Sequence, residues 1–202
     1  MPVGFTDEEK EEIQKRLIGK GRELLGLYGL KKTTIKDITE AAGIAQGSFY
    51  KFFDSKEEFY FEILELEEQK IREELSQKLD FVENNPGPGI KKLLLEAYEL
   101  LEENDLLKDL LSGNSYDVLV RKLPEKKIEE HIEMDFAEIT PLIQEWQDEG
   151  ILKEVKPEAI TGLLHALFLI TLHKDEIGES IYNDTFDLLI DLIVDGLVKE
   201  EG

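Results

Sequence analysis

Three helix starts and two glycine stops within the first 58 residues leave this chain few folds to choose from. Thr6-Asp7-Glu8-Glu9 and Ser55-Lys56-Glu57-Glu58 place a hydroxyl three residues before a glutamate. In that capping-box pattern, side chain and backbone satisfy each other's free N–H groups. Thr34-Ile35-Lys36-Asp37 opens a helix in the same way, and Gly29 and Gly43 supply the left-handed backbone that closes one. The spacing predicts a first helix with an inner stripe of Ile13, Leu17, Leu24 and Tyr28, and a short second one carrying Ile35, Ile38 and Ala42. A third short helix follows from Gln46 to Phe53. A long fourth runs from Ser55 to about Phe81 with Phe59, Ile63, Leu66 and Ile71 inward.

The remainder is helical in pattern as well, giving an all-α chain. Asn84-Asn85-Pro86-Gly87-Pro88-Gly89 is the clearest breaker. Helical periodicity resumes over 90–103 and 106–111, and Ser112-Gly113-Asn114-Ser115 is expected to be loop. Pro124 suits the first turn of a further helix, which Pro141 is expected to kink or divide and Gly150 to end. Two last helices, about 157–174 and 179–199, close the chain. There is no cysteine, so disulfides and thiolate metal sites are excluded. The first twelve residues are acidic without an apolar run, and Leu163 to Leu172 is too short to span a bilayer. The expectation is a cytoplasmic protein with no membrane partner.

A net charge of −22 argues against a nucleic-acid partner until its distribution is considered. Residues 13–56 carry +5, residues 1–12 carry −4, and residues 57–202 carry −23. A basic island on an acidic body is compatible with phosphate binding, because the local field decides.

That island contains the constellation that carries chemistry. A helix-turn-helix needs a short helix, a glycine turn and a second helix exposed enough to enter a groove. Residues 34–53 meet each demand: Ala41 and Ala42 allow close approach, Gly43 makes the turn, and Ile44, Phe49 and Phe53 face inward. Gln46, Gly47, Ser48, Tyr50 and Lys51 are left outward. Gln reads adenine edges, Ser bonds base edges or phosphate, and Lys reaches guanine or phosphate, while a glycine lets the backbone come close. Thr34 and Lys56 stand at helix starts, where free N–H groups attract phosphate.

Thr33-Thr34-Ile35-Lys36-Asp37-Ile38, Ala42-Gly43-Ile44 and Gly47-Ser48-Phe49-Tyr50-Lys51-Phe52-Phe53-Asp54-Ser55-Lys56-Glu57 closely resemble the TetR family of transcriptional regulators, over about residues 10–65. A weaker echo is Glu149-Gly150-Ile151-Leu152 before Pro157. The resemblance implies a three-helix DNA-binding head, 1–55, on a helical ligand-binding and dimerising body, 56–202. It also implies phosphate contacts from Thr34, Tyr50 and Lys56, and groove contacts from Gln46, Gly47, Ser48 and Lys51. One departure is Ala45, where the family usually caps the recognition helix with Ser or Thr. Losing that cap costs the helix about 1 kcal/mol.

The last two helices are apolar over wide arcs: Ile160, Leu163, Leu164, Leu167, Phe168, Ile170 and Thr171, then Ile181, Phe186, Leu189, Ile190, Ile193 and Leu197. Such arcs need cover on more than one side, which predicts a homodimer through these helices and a palindromic operator. His131, His165 and His173 lack the i, i+4 spacing of a helical zinc site, and Trp146, Phe168 and Tyr98 read as core. Neither a catalytic set nor a cofactor motif is present, so the chain is expected not to be an enzyme. The expected function is a repressor released from its operator by a small-molecule effector, through the long helix that starts at the head. A transcriptional activator, or an acidic helical protein-interaction module without an effector, is the alternative.

Overall fold

A computed structural model describes residues 5–111 and 115–199, and every regular element among them is helical. α1 spans Asp7–Lys32, α2 Ile35–Ala42, and a 3₁₀ helix Gln46–Lys51. Then come α3 (Lys56–Ser76), α4 (Leu79–Asn84), α5 (Pro86–Glu103), α6 (Asp105–Leu111), α7 (Tyr116–Lys122) and α8 (Glu125–Asp148). α9 (Pro157–Leu172), α10 (Lys174–Ile177) and α11 (Glu179–Leu197) complete the order. Residues 112–114, where a loop is expected, lie outside the described residues. Packing divides the chain into two compact units, Met1–Gln69 with Asn104–Leu123 and Lys70–Glu103 with Pro124–Gly202. The division falls inside α3.

In the first unit, Thr6 closes its capping box in full: Glu9 N–H donates to Thr6 Oγ1 (3.2 Å) and Thr6 N–H to Glu9 Oε2 (2.8 Å). The buried stripe of α1 steps by four through Ile13, Leu17, Gly21 and Leu25. Tyr28, expected inward, is 57% exposed and Leu24 only half-buried, because the buried face runs through Leu17, Gly21 and Leu25 instead. Helical geometry breaks where expected, at Gly29 (φ 72°). The Leu30 N–H beside that break is met by a side chain from α6, Asp109 Oδ2 accepting it at 3.3 Å. The same carboxylate accepts from the hydroxyls of Tyr60 (3.2 Å) and Ser115 (2.5 Å).

On α3, Phe59 and Ile63 are buried as the pattern predicts, whereas Leu66 is exposed and the acid beside it, Glu67, is 2% exposed. Arg22 holds Glu67 in a two-pronged pair (Nε–Oε1 2.8 Å, Nη2–Oε2 2.8 Å), and Asn104 Nδ2 donates to Oε2 at 2.7 Å. A buried carboxylate persists only with such partners. Periodicity counts hydrophobes and so misses a charged residue placed inward by its counterion.

In the second unit α11 packs on α5 and α8 on α9, around Val82, Ile90, Trp146, Ile160, Tyr182, Phe186, Ile190 and Ile193. Trp146 is core, as expected. The expected break at 84–89 narrows to Asn85, since Pro86 to Gly89 form the first turn of α5. Proline is tolerated there because first-turn amides have no helical partner to lose. The long helix ends at Ser76 rather than Phe81, and α8 runs through Pro141 undivided, its end held by buried Ile143 and Trp146. Gly150 ends α8 with a positive φ of 77°, as expected. Beyond it an isolated antiparallel bridge joins Leu152 to Val198. Lys174 Nζ donates to Glu102 Oε1 (2.8 Å) and lies 4.9 Å from the centroid of the Tyr182 ring.

Two stability measurements follow. Burial, and secondarily the Asp109 charge, pushes the Tyr60 phenol well above its ordinary value of 10.0. Below pH 10 both folded and unfolded chains keep the proton and the full stability is present. Above it the unfolded phenol ionises first, so stability falls as pH rises. Tyr60→Phe, which also loses the bond to the Leu106 carbonyl (3.1 Å), should lower urea-unfolding stability by about 1–2 kcal/mol at neutral pH. It should also flatten the decline between pH 9 and pH 11. Gly29→Ala forces a left-handed alanine whose Cβ would sit 2.7 Å from Asp109 Oδ1. We expect it to lower the urea midpoint by an amount equivalent to about 2 kcal/mol.

Candidate nucleic-acid interface

The helix-turn-helix is built from its caps inward. Thr34 caps α2 in a reciprocal box with Asp37: Asp37 N–H donates to Thr34 Oγ1 (3.2 Å), and Thr34 N–H and Oγ1 donate to Asp37 Oδ2 (3.0 and 2.6 Å). Those bonds, the hydroxyl foremost, hold the Asp37 carboxyl below its ordinary pKa. α2 closes on Gly43 in the left-handed region (φ 70°, ψ 37°), its amide reaching the Glu40 carbonyl. Ile38 and Ala42 are buried, while Ile35 is half-buried.

The recognition segment is tighter and shorter than the Gln46-to-Phe53 helix expected from the pattern. It is a 3₁₀ turn over Gln46–Lys51 with no side-chain cap at Ala45. The amides of Phe52 and Phe53 both fold back to the Phe49 carbonyl (2.9 and 3.1 Å), which ends the helix two residues early. Phe49 and Phe53 turn into the core, against Phe59 at centroid separations of 5.4 and 4.7 Å. Phe59 in turn fills the notch at Gly21, where a Cβ would collide with its ring. Packing, rather than capping, fixes the segment.

The residues singled out from the sequence come together on this segment and its flanks. Gln46, Gly47 and Lys51 are exposed, Tyr50 is 57% exposed, Ser48 is half-buried and Thr34 is exposed. Tyr50 stands edge-on to Phe49 at 5.6 Å, so the buried Phe49 ring backs it. Lys56 differs from the others. Its Nζ donates to the carbonyls of Leu30 (2.6 Å) and Thr33 (2.9 Å), bracing the broken end of α1 against the start of α3. No pattern in the sequence signals that role, because the two carbonyls become acceptors only after Gly29 has turned the chain.

The basic island is partly consumed at home. Arg22 pairs with Glu67, Lys20 with Glu23, and Lys36 with Glu40. Among the described residues Lys15, Arg16, Lys32 and Lys51 are in no ion pair, and Arg16 lines an open groove of about 500 Å³ with Phe5, Ile44, Ala45 and Ser48. Phe5 lies 6.3 Å from the Phe52 ring and carries Lys51 Nζ 4.8 Å above its own. Sequence reading passes over Phe5, whose one signal is its place directly before an N-cap. For metals, no group of three ligating side chains occurs among the described residues. His165 is instead packed edge-on against Phe136 at 6.1 Å. No helix among the described residues is long and apolar enough to cross a membrane.

Residues 17–63 match the family model described as bacterial regulatory proteins, tetR family. Over 188 residues the chain is 23% identical to the uncharacterized HTH-type transcriptional regulator YfiR of Bacillus subtilis (strain 168), covering 91% of this chain and 87% of that one. Over 63 residues, 31% of each chain, it is 48% identical to the HTH-type transcriptional repressor KstR2 of Rhodococcus jostii (strain RHA1). A crystal structure of a TetR-family transcriptional regulator from Pectobacterium atrosepticum matches 98% of this chain and 100% of its own, with a TM-score of 0.76 at 18% identity. That last likeness is one of fold. The family match spans the helix-turn-helix itself and the first relative aligns along nine-tenths of the chain, so residues 17–63 carry the DNA-binding helix-turn-helix of TetR-family regulators.

Proposed function

We propose that this regulator is a repressor, bound as a homodimer to a palindromic operator and released by a small-molecule effector. The observation that carries the reading is the outward row of Gln46, Gly47, Ser48, Tyr50 and Lys51 on a rigidly backed turn. In this reading Gln46, Ser48 and Lys51 reach base edges, and Gly47 admits the backbone to the groove. Tyr50 bonds phosphate. Thr34 and Lys56 meet phosphate through the first-turn amides of the helices they open, since their own polar atoms hold the fold together. The repressor name of the relative that is 48% identical across 63 residues supports repression over activation.

The functional division we propose is a head, 1–55, that touches DNA and a body, 56–202, that binds effector and partner. It separates surfaces by task, whereas the packing units separate them by contacts. Leu188 (59%) and Leu192 (60%) stand exposed on α11 with Ile181, which supports pairing of the last two helices across a two-fold axis. An isologous dimer of this kind sets two recognition segments on one duplex. Effector and DNA then favour different states of one dimer, and each weakens the other's binding by the same factor. α3, which contributes residues to both units, is the element to which we assign the coupling. The strongly acidic body suits a lipophilic or cationic effector better than an anionic one.

The test is selection of duplexes from a random pool, followed by a ligand library screened for release of the selected duplex. On that duplex Gln46→Ala should relax base preference at one position by about 1–3 kcal/mol, and Tyr50→Ala should weaken all sequences alike. Lys56→Ala should both weaken binding and lower the melting temperature, because two carbonyls lose their donor. Unchanged affinity in all three variants would remove the contact assignment. For the partner surface, Leu188→Glu with Leu192→Glu should sediment as a monomer at micromolar concentration where the parent sediments as a dimer. A monomeric parent would overturn the interface.

A further inference from the structure

Among the described residues, Phe5 at the approach to α1 meets Lys51 at the end of the 3₁₀ helix, and the contact is of an unusual kind for a basic residue in an acidic protein. Lys51, the last residue of the 3₁₀ helix, is exposed and in no ion pair among the described residues, although the chain has 46 acids. What holds it is a ring. Its Nζ lies 4.8 Å from the Phe5 centroid. Phe5 is itself fixed on both sides: Thr6 beside it is locked by both bonds of its capping box, and Phe52 lies 6.3 Å away with its plane tilted by 34°.

We propose that Phe5 is a positioning residue for Lys51, fixing its side chain over the recognition turn while leaving its full positive charge available to DNA. An acidic partner would also fix a lysine, but it would neutralise the charge that phosphate or guanine must feel, and would have to be broken on binding. A ring face attracts the ammonium through its quadrupole without cancelling its charge. It thereby removes part of the rotamer freedom that a four-carbon stem otherwise loses when it docks. The cost of ordering Lys51 is thus met before DNA arrives.

This inference rests on the reading of Lys51 as a DNA contact, and a double-mutant cycle in the full chain separates the two. The probe is the duplex selected by the parent chain from the random pool. Phe5→Ala should weaken binding by about two- to five-fold, the range an exposed cation–π contact spans. Phe5→Tyr should restore the parent affinity and Phe5→Leu should not, since leucine keeps apolar bulk without a ring face. In a Lys51→Ala background, Phe5→Ala should change affinity no further. In the free protein, the Lys51 side-chain methylene protons should be shifted upfield in the NMR spectrum by the ring, and return to ordinary values in Phe5→Leu. If Lys51→Ala leaves affinity unchanged, the DNA-contact reading of Lys51 fails and this proposal with it. If Lys51→Ala weakens binding but the two substitutions add, or Phe5→Leu binds like the parent, the contact reading stands and the positioning role is overturned. A Phe5→Ala chain that unfolds is bypassed by Phe5→Leu and by the methylene shifts, which report the contact without DNA.

Discussion

The recognition turn is too short to hold its own shape, and it is given shape by the ring of Phe59. A six-residue 3₁₀ helix with no side-chain cap has poor hydrogen-bond geometry and no end protection. Phe59 meets Phe49 and Phe53 on one side and the bare backbone of Gly21 on the other. Aromatic contacts of this kind add about 0.5–1.5 kcal/mol each beyond the area they bury. That is comparable to the cap that Ala45 does not provide. The outward residues of the turn can be almost wholly polar because the inward ones do all the anchoring.

Around this knot the first unit is tied by polar contacts, two of them at a helix end and one between helix interiors. Asp109 satisfies the amide beside the Gly29 break together with two hydroxyls, and Lys56 satisfies carbonyls at the same corner. Glu67 is carried inside by Arg22 and Asn104. Removing one partner from such sets leaves buried donors or charge unmatched, which is costlier than the loss of a surface pair. The contacts at the helix end are specific because backbone groups there lack intrahelical partners.

Much of this was legible in the residues, for identifiable reasons. Caps and stops are local chemistry, so Thr6, Thr34, Ser55, Gly29 and Gly43 mark their helix ends directly. The inward Phe49 and Phe53 follow from the same frame. The departures have two causes, packing that periodicity does not encode and prolines whose effect depends on their place in a turn. Tyr28 and Leu66 are apolar at plausible spacing, yet neighbours that no periodicity can see leave them exposed. Pro86 and Pro88 read as breakers, although a proline in a first turn starts a helix as readily as it stops one. Phe5 was invisible because its meaning lies in Lys51, 46 positions away.

The fate of the nine basic residues of the 13–56 island bears on how such a protein finds its target. Several of them are engaged with glutamates or with carbonyl oxygens of the head itself. Non-specific attachment to a duplex scales with the number of phosphates that cations can neutralise, and weakens steeply as salt rises. A head with few uncommitted cations, on a chain of net charge −22, has a shallow hold on arbitrary sequence. The fewer cations it leaves free, the more its residence on DNA has to come from contacts that only a matching site supplies.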